Sequence, residues 1–207
     1  MLPGERPYDV GMTSEPSTTS ADSSAAPSPW VAPVLRAVPA LAVGLIITFT
    51  ADHSPALGLV ALAGFGLASA LVLALTSLRM RRGEPLRPLH RGLAVIAGTA
   101  GALGLVVLAA GGGGLALLLL LVGGYAVLAG ALELVWGIRH RDRSPLARDA
   151  VVIGVGTLAL AIVLALVGDP VSAVGFFGAY AVVLGIFLLI AGLSLKWSTP
   201  AKESAAS

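Results

Sequence analysis

Six apolar stretches account for most of this chain. They run over about 31–51, 55–78, 89–110, 115–138, 147–167 and 171–195. Each is long enough to cross a hydrocarbon core of roughly 30 Å at about 1.5 Å per residue. Polar residues gather between the stretches rather than within them. The runs lack period-two alternation and consist mainly of Leu, Ala, Val and Gly, so helices are expected and strands are not. The pattern predicts an all-α membrane protein of six transmembrane helices, arranged as three tandem helical hairpins.

The connections alternate in character. Those from an odd to an even stretch are very short: Ala51-Asp52-His53-Ser54, Gly111 to Gly114, and Gly168-Asp169. Ser54-Pro55 and Asp169-Pro170 each offer an N-cap followed by Pro at the first helical position. Connections from even to odd are longer and basic. Arg79, Arg81, Arg82, Arg87 and Arg91 lie in the first, and Arg139, Arg141, Arg143 and Arg148 in the second; Lys196 and Lys202 follow the last stretch. No Lys or Arg occupies the short turns. The positive-inside rule then places the basic segments, and both chain ends, in the cytoplasm, and Arg36 near the start of the first stretch agrees.

Composition sharpens this picture. The chain is 57% hydrophobic and 12% charged, against about 25% charged in a soluble domain. A core of this size cannot hide so much apolar surface, so the excess is expected to face lipid. A net charge of +2 is too small for a nucleic-acid binder, and topology already accounts for the arginines. Cysteine is absent, which removes disulfides, thiol nucleophiles and Cys-ligated metals. Residues 1–29 are rich in Ser, Thr, Pro and Ala and read as a disordered cytoplasmic tail. Residues 30–197 form the expected six-helix domain, and 198–207 a short cytoplasmic tail.

The chain also repeats itself. Phe65-Gly66 with Ala70, Tyr125-Ala126 with Gly130, and Tyr180-Ala181 with Gly185 share one pattern. Tyr125 follows Phe65 by 60 residues and precedes Tyr180 by 55. Small residues four apart lie on one helix face and let two backbones approach. Gly66, Ala70, Ala126, Gly130, Ala181 and Gly185 are therefore expected to form seams through which the even helices pack.

Few residues offer chemistry. Glu133 sits about 9 Å inside the membrane from Arg139 on a helical rise of about 1.5 Å. A carboxylate at that depth should face the bundle and find a partner. Arg36 matches it in depth to within about one helical turn. The pair reads as a structural ion pair, with a proton-titrating site as the alternative. Asp52, His53 and Asp169 form an outer-face set that reads as turn and cap residues, with His53 the one group suited to acid sensing. His90 and His140 are expected in solvated cytoplasmic loops, and Trp30, Trp136 and Trp197 in an aromatic belt at the cytoplasmic ends. No metalloprotease, nucleophile-elbow, phosphate-loop or CxxC motif is present, and the GxGxxA match at Gly154 lies inside an apolar run without a preceding strand. No catalytic residue, cofactor or metal site is expected.

Leu35-Arg36-Ala37, the segment from Tyr125 through Glu133 to Arg139, Asp169-Pro170 and the stretch from Gly178 to Gly185 together resemble the HdeD-like (DUF308) family of bacterial membrane proteins, over roughly residues 30–197. The resemblance implies a six-helix inner-membrane protein, some of whose relatives are linked to acid resistance. The family's Glu near the end of helix four matches Glu133, and its early Arg matches Arg36. The Gly111–Gly114 turn departs from the Pro-containing turn common there. The expected function is non-enzymatic support of acid or envelope stress tolerance in the bacterial inner membrane, with a small-solute or proton-linked transporter using Glu133 as the alternative. The lipid bilayer is the expected partner, with a homo-oligomer or a second membrane protein in addition, and no nucleic acid.

Overall fold

The computed structural model describes residues 30–144 and 146–198; the expected tails at 1–29 and 199–207 lie outside the described residues. It is all-helical over those residues. The helices are α1 (Val31–Phe49), α2 (Pro55–Arg79), α3 (Leu86–Ala109), α4 (Leu115–His140), α5 (Leu146–Leu166) and α6 (Pro170–Ser198). All six are long and apolar enough to cross a membrane. Large apolar side chains such as Phe49, Leu71, Val95, Leu120, Ile162 and Val183 are more than half exposed on their outer faces. In water that surface would be untenable; in lipid it costs nothing. The chain is a multi-pass membrane protein.

Local chemistry sets the helix ends. The Ser54 hydroxyl accepts from the Leu57 amide with Pro55 at the first helical position. The Asp169 carboxylate accepts from the Ser172 amide at 2.9 Å and caps α6 in the same way. The α3–α4 turn needs left-handed backbone at Gly111 (φ 69°) and Gly113 (φ 153°), which explains why glycine fills it. Helix α3 begins three residues earlier than the apolar pattern suggests, because Pro88 falls in its first turn, where a missing amide costs no helical bond.

The three hairpins exist as connectivity, yet the closest packing runs between them. Helix α2 packs most extensively on α3, α4 on α5, and α6 closes the ring on α1. Gly66, Gly130 and Gly185 lie in these contacts, where each even helix meets an odd one. A Cβ on Gly66 would lie 2.9 Å from the Cα of Gly101 in α3. One on Gly130 would lie 3.0 Å from the Gly154 carbonyl in α5, and one on Gly185 3.0 Å from the Leu41 amide in α1. Ala70 meets Gly98 in the first of these seams, and Ala126 and Ala181 are fully buried. The reason is the neighbouring aromatic. One residue along a helix turns the side chain by about 100°, so the small residues face an odd helix while the aromatics face the centre.

The even helices meet there through bulky side chains. Phe65 packs edge-on to Tyr125 (5.6 Å) and to Phe177 (6.1 Å). The repeat offsets of 60 and 55 residues make Leu62, Val122 and Phe177 equivalent, and all three are under 2% exposed. With Leu59, Leu118 and Val174 they seal the half of the bundle next to the short turns. Tyr180 departs from its equivalents. It shares a 2.8 Å hydrogen bond with Thr157 of α5, which in turn donates to the Ile153 carbonyl.

Candidate functional site: a cavity above a buried ion pair

The same offsets, carried one layer further, align Leu73, Glu133 and Leu188. All three are buried. Two leucines thus face the axis where α4 presents a carboxylate. Arg36 of α1 donates from Nη2 to Glu133 Oε1 at 2.7 Å. Helices α1 and α4 are not neighbours, since their Cα atoms nowhere come within 8 Å. The ion pair therefore bridges the space between two helices whose backbones are not adjacent.

That space is a cavity of about 390 Å³ at the basic end of the bundle. Its walls are mostly apolar, from Val31 and Leu35 of α1, Ala150 and Ile153 of α5 and Leu188 and Ala191 of α6. Each odd helix adds one ionisable side chain: Arg36, His90 of α3 and Asp149 of α5. Arg79, Arg81 and Glu84 border the cavity from the end of α2 and the loop after it. The volume falls within the roughly 300–1,000 Å³ of small-molecule sites, and apolar walls with a few convergent polar groups are their usual makeup. Below Arg36 the axis continues as a void of about 20 Å³, bordered by Ser69, Phe65 and Tyr125, with room for about one water.

His90 is not the solvated loop residue the sequence suggested. It lies in α3 and is 5% exposed. Its Nδ1 is 3.2 Å from the Thr76 hydroxyl, which itself donates to the Leu73 carbonyl. The Thr76 hydroxyl thus links the His90 ring to the backbone of α2. The sequence carried a signal for this. Extending the buried positions 104, 100, 97 and 93 backwards by helical steps reaches 90.

Trp136 is also corrected. Rather than sitting in a lipid-facing belt, it is 6% exposed and donates from Nε1 to the Pro85 carbonyl at 2.9 Å. His140 ends α4 and stacks on it at 4.6 Å, instead of hanging in a loop. Trp30 sits at the start of α1 under the Lys196 ammonium, and Trp197 is exposed. On the opposite face, Asp52 accepts from the amide and hydroxyl of Ser54, and His53 contacts the Ala51 carbonyl. Asp169 caps a separate helix, and among the described residues no hydrogen bond or ion pair joins it to His53 or Asp52.

Six spanning helices around a cavity open at one end define a polytopic membrane protein with an internal small-molecule-sized site. No family model, curated protein or solved structure matches the chain.

Proposed function

We propose that this is a non-enzymatic protein of a bacterial plasma membrane that admits a small solute from the cytoplasmic side into the cavity above Arg36 and Glu133, as a solute-binding protein or a small-solute or proton-linked transporter. One observation carries the reading: a cavity of about 390 Å³ ends on a buried ion pair, while packed side chains close the other half of the axis. A purely structural bundle has no need of a carboxylate where its two sister repeats place leucine, because a buried ion pair is weak support for stability. Intramembrane ionisable groups mark solute and proton pathways instead. The cytoplasmic orientation follows from the basic loops, and the acid- or envelope-stress setting from the HdeD-like resemblance.

Flux into proteoliposomes tests the transport form. Wild-type protein should dissipate an imposed solute or proton gradient faster than Glu133→Gln at equal reconstitution. Equal rates, at the level of protein-free vesicles, would leave binding without transport. A deletion strain that grows like its parent after acid challenge would remove the stress setting.

A further inference from the structure

Arg36 and Glu133 meet at the floor of the cavity. The contact is one-pronged: a single guanidinium nitrogen of Arg36 meets a single oxygen of Glu133. Guanidinium has five N–H donors in a planar fork, and among the described residues Glu133 Oε1 is the one acceptor that Arg36 meets. The Arg36 side chain is 17% exposed and that of Glu133 only 4%. Both line the cavity, and Arg36 presents more of its surface than Glu133 does. The walls above them are mostly apolar, and the volume holds roughly a dozen water-sized groups at about 30 Å³ each. Arg79, Arg81 and Glu84 border the same space toward the basic loop, and Asp149 stands on its α5 wall, so Arg36 is the cation on the floor of the cavity, inside the bundle.

We infer that the cavity takes an amphiphilic monoanion, a medium-chain carboxylate in chemical class, with its carboxylate on the free donors of Arg36 and its alkyl body along Leu35, Ile153 and Leu188. The inference rests on the cavity being a solute site. Arg36 suits the role because bidentate N–H donation matches carboxylate geometry, and it keeps its charge at every physiological pH. Glu133 then acts as a positioning residue that holds the fork in place rather than as the group the solute meets.

The test uses the full chain in lipid nanodiscs with three probes of equal chain length: decanoate, decanol and decylammonium. Binding is measured calorimetrically, with uptake by empty nanodiscs subtracted. Three variants accompany the wild type: Ala150→Trp, which fills the cavity; Arg36→Gln; and the double variant Arg36→Gln with Glu133→Gln, which leaves no orphaned charge if the single change fails to fold. Decanoate should bind the wild type at least tenfold more tightly than the other probes. Ala150→Trp should abolish binding, and the neutral double variant should lose the preference while keeping its helicity. Equal binding of decanol, or preference for decylammonium, overturns the assignment of an anion but leaves the cavity as a solute site. Saturable binding of none of the probes, with Ala150→Trp indistinguishable from wild type, overturns both.

Discussion

Arg36 and Glu133 are 97 positions apart in the chain and 2.7 Å apart in the structure, and theirs is the polar contact that ties α1 to α4 across the cavity. Removing one member leaves the other charge buried without a partner, a change that costs about 3–5 kcal/mol where it has been measured in protein interiors. Arg36→Ala and Glu133→Ala should each lower the unfolding free energy in detergent by an amount of that order. The exchange Arg36→Glu with Glu133→Arg should recover a large part of the loss. A swap no more stable than the worse single variant would mean that the two side chains do not depend on each other.

Gly64 and Gly66 are two residues apart and should respond to Ala with opposite signs. A Cβ on Gly64 meets nothing within 4 Å, whereas one on Gly66 would lie 2.5 Å from the Ala97 carbonyl oxygen. Gly64→Ala gains about 0.5–1 kcal/mol from reduced chain freedom in a helix interior. Gly66→Ala forces α2 away from α3 and should lose about 1–3 kcal/mol. Thermal unfolding of the two purified variants is a sufficient comparison, and like signs would show that the α2–α3 seam is looser than its backbone spacing implies.

Trp136 fastens the basic loop after α2 to α4 through its bond to the Pro85 carbonyl. Trp136→Phe keeps an aromatic ring but deletes the donor, at a cost of about 0.5–1.5 kcal/mol for the lost hydrogen bond. Limited trypsin digestion should then cut faster after Arg79, Arg81 and Arg82. Cleavage after Arg141 and Arg143, in the loop Trp136 does not touch, should keep its wild-type rate.

Most of the fold was legible because apolar length and the placement of arginine are both one-dimensional signals. The helix bounds, the Ser54 and Asp169 caps and the depth match of Arg36 with Glu133 all follow from counting along the chain. The partners of the seams were not legible, because small residues say that backbones approach, not which backbone approaches. Their partners are decided by the aromatic one residue earlier, whose bulk claims the centre. His90 and Trp136 were missed for a related reason. Both lie near helix ends, where the same polar-aromatic chemistry serves a lipid interface or a buried hydrogen bond, and only the neighbouring elements decide between them. The exceptional character of Glu133 was available earlier, since the repeat offsets set it against Leu73 and Leu188.

Asp169 makes a prediction about acid. The Ser172 amide and hydroxyl hold its carboxyl below the ordinary value of 3.8. A group depressed in the folded state adds stability above its unfolded pKa and loses it as pH falls through the folded one. The stability difference between wild type and Asp169→Asn should be constant near neutral pH and should shrink once the pH drops below about 4. A difference that grows on acidification would assign the acid response of this face to another group, with His53→Ala the next variant to measure.

The absence of cysteine makes the orientation directly measurable, because a single introduced thiol is the only one to label. Gly112 lies in the turn between α3 and α4, and Ser144 in the basic loop between α4 and α5. Arginine resists transfer across the bilayer during insertion, so the basic loop is expected to stay in the cytoplasm and the glycine turn to cross. Gly112→Cys should react with a membrane-impermeant maleimide in intact cells. Ser144→Cys should react only after permeabilisation. The reverse pattern would turn the cavity to the outer face, and the solute above Arg36 would then have to arrive from outside the cell.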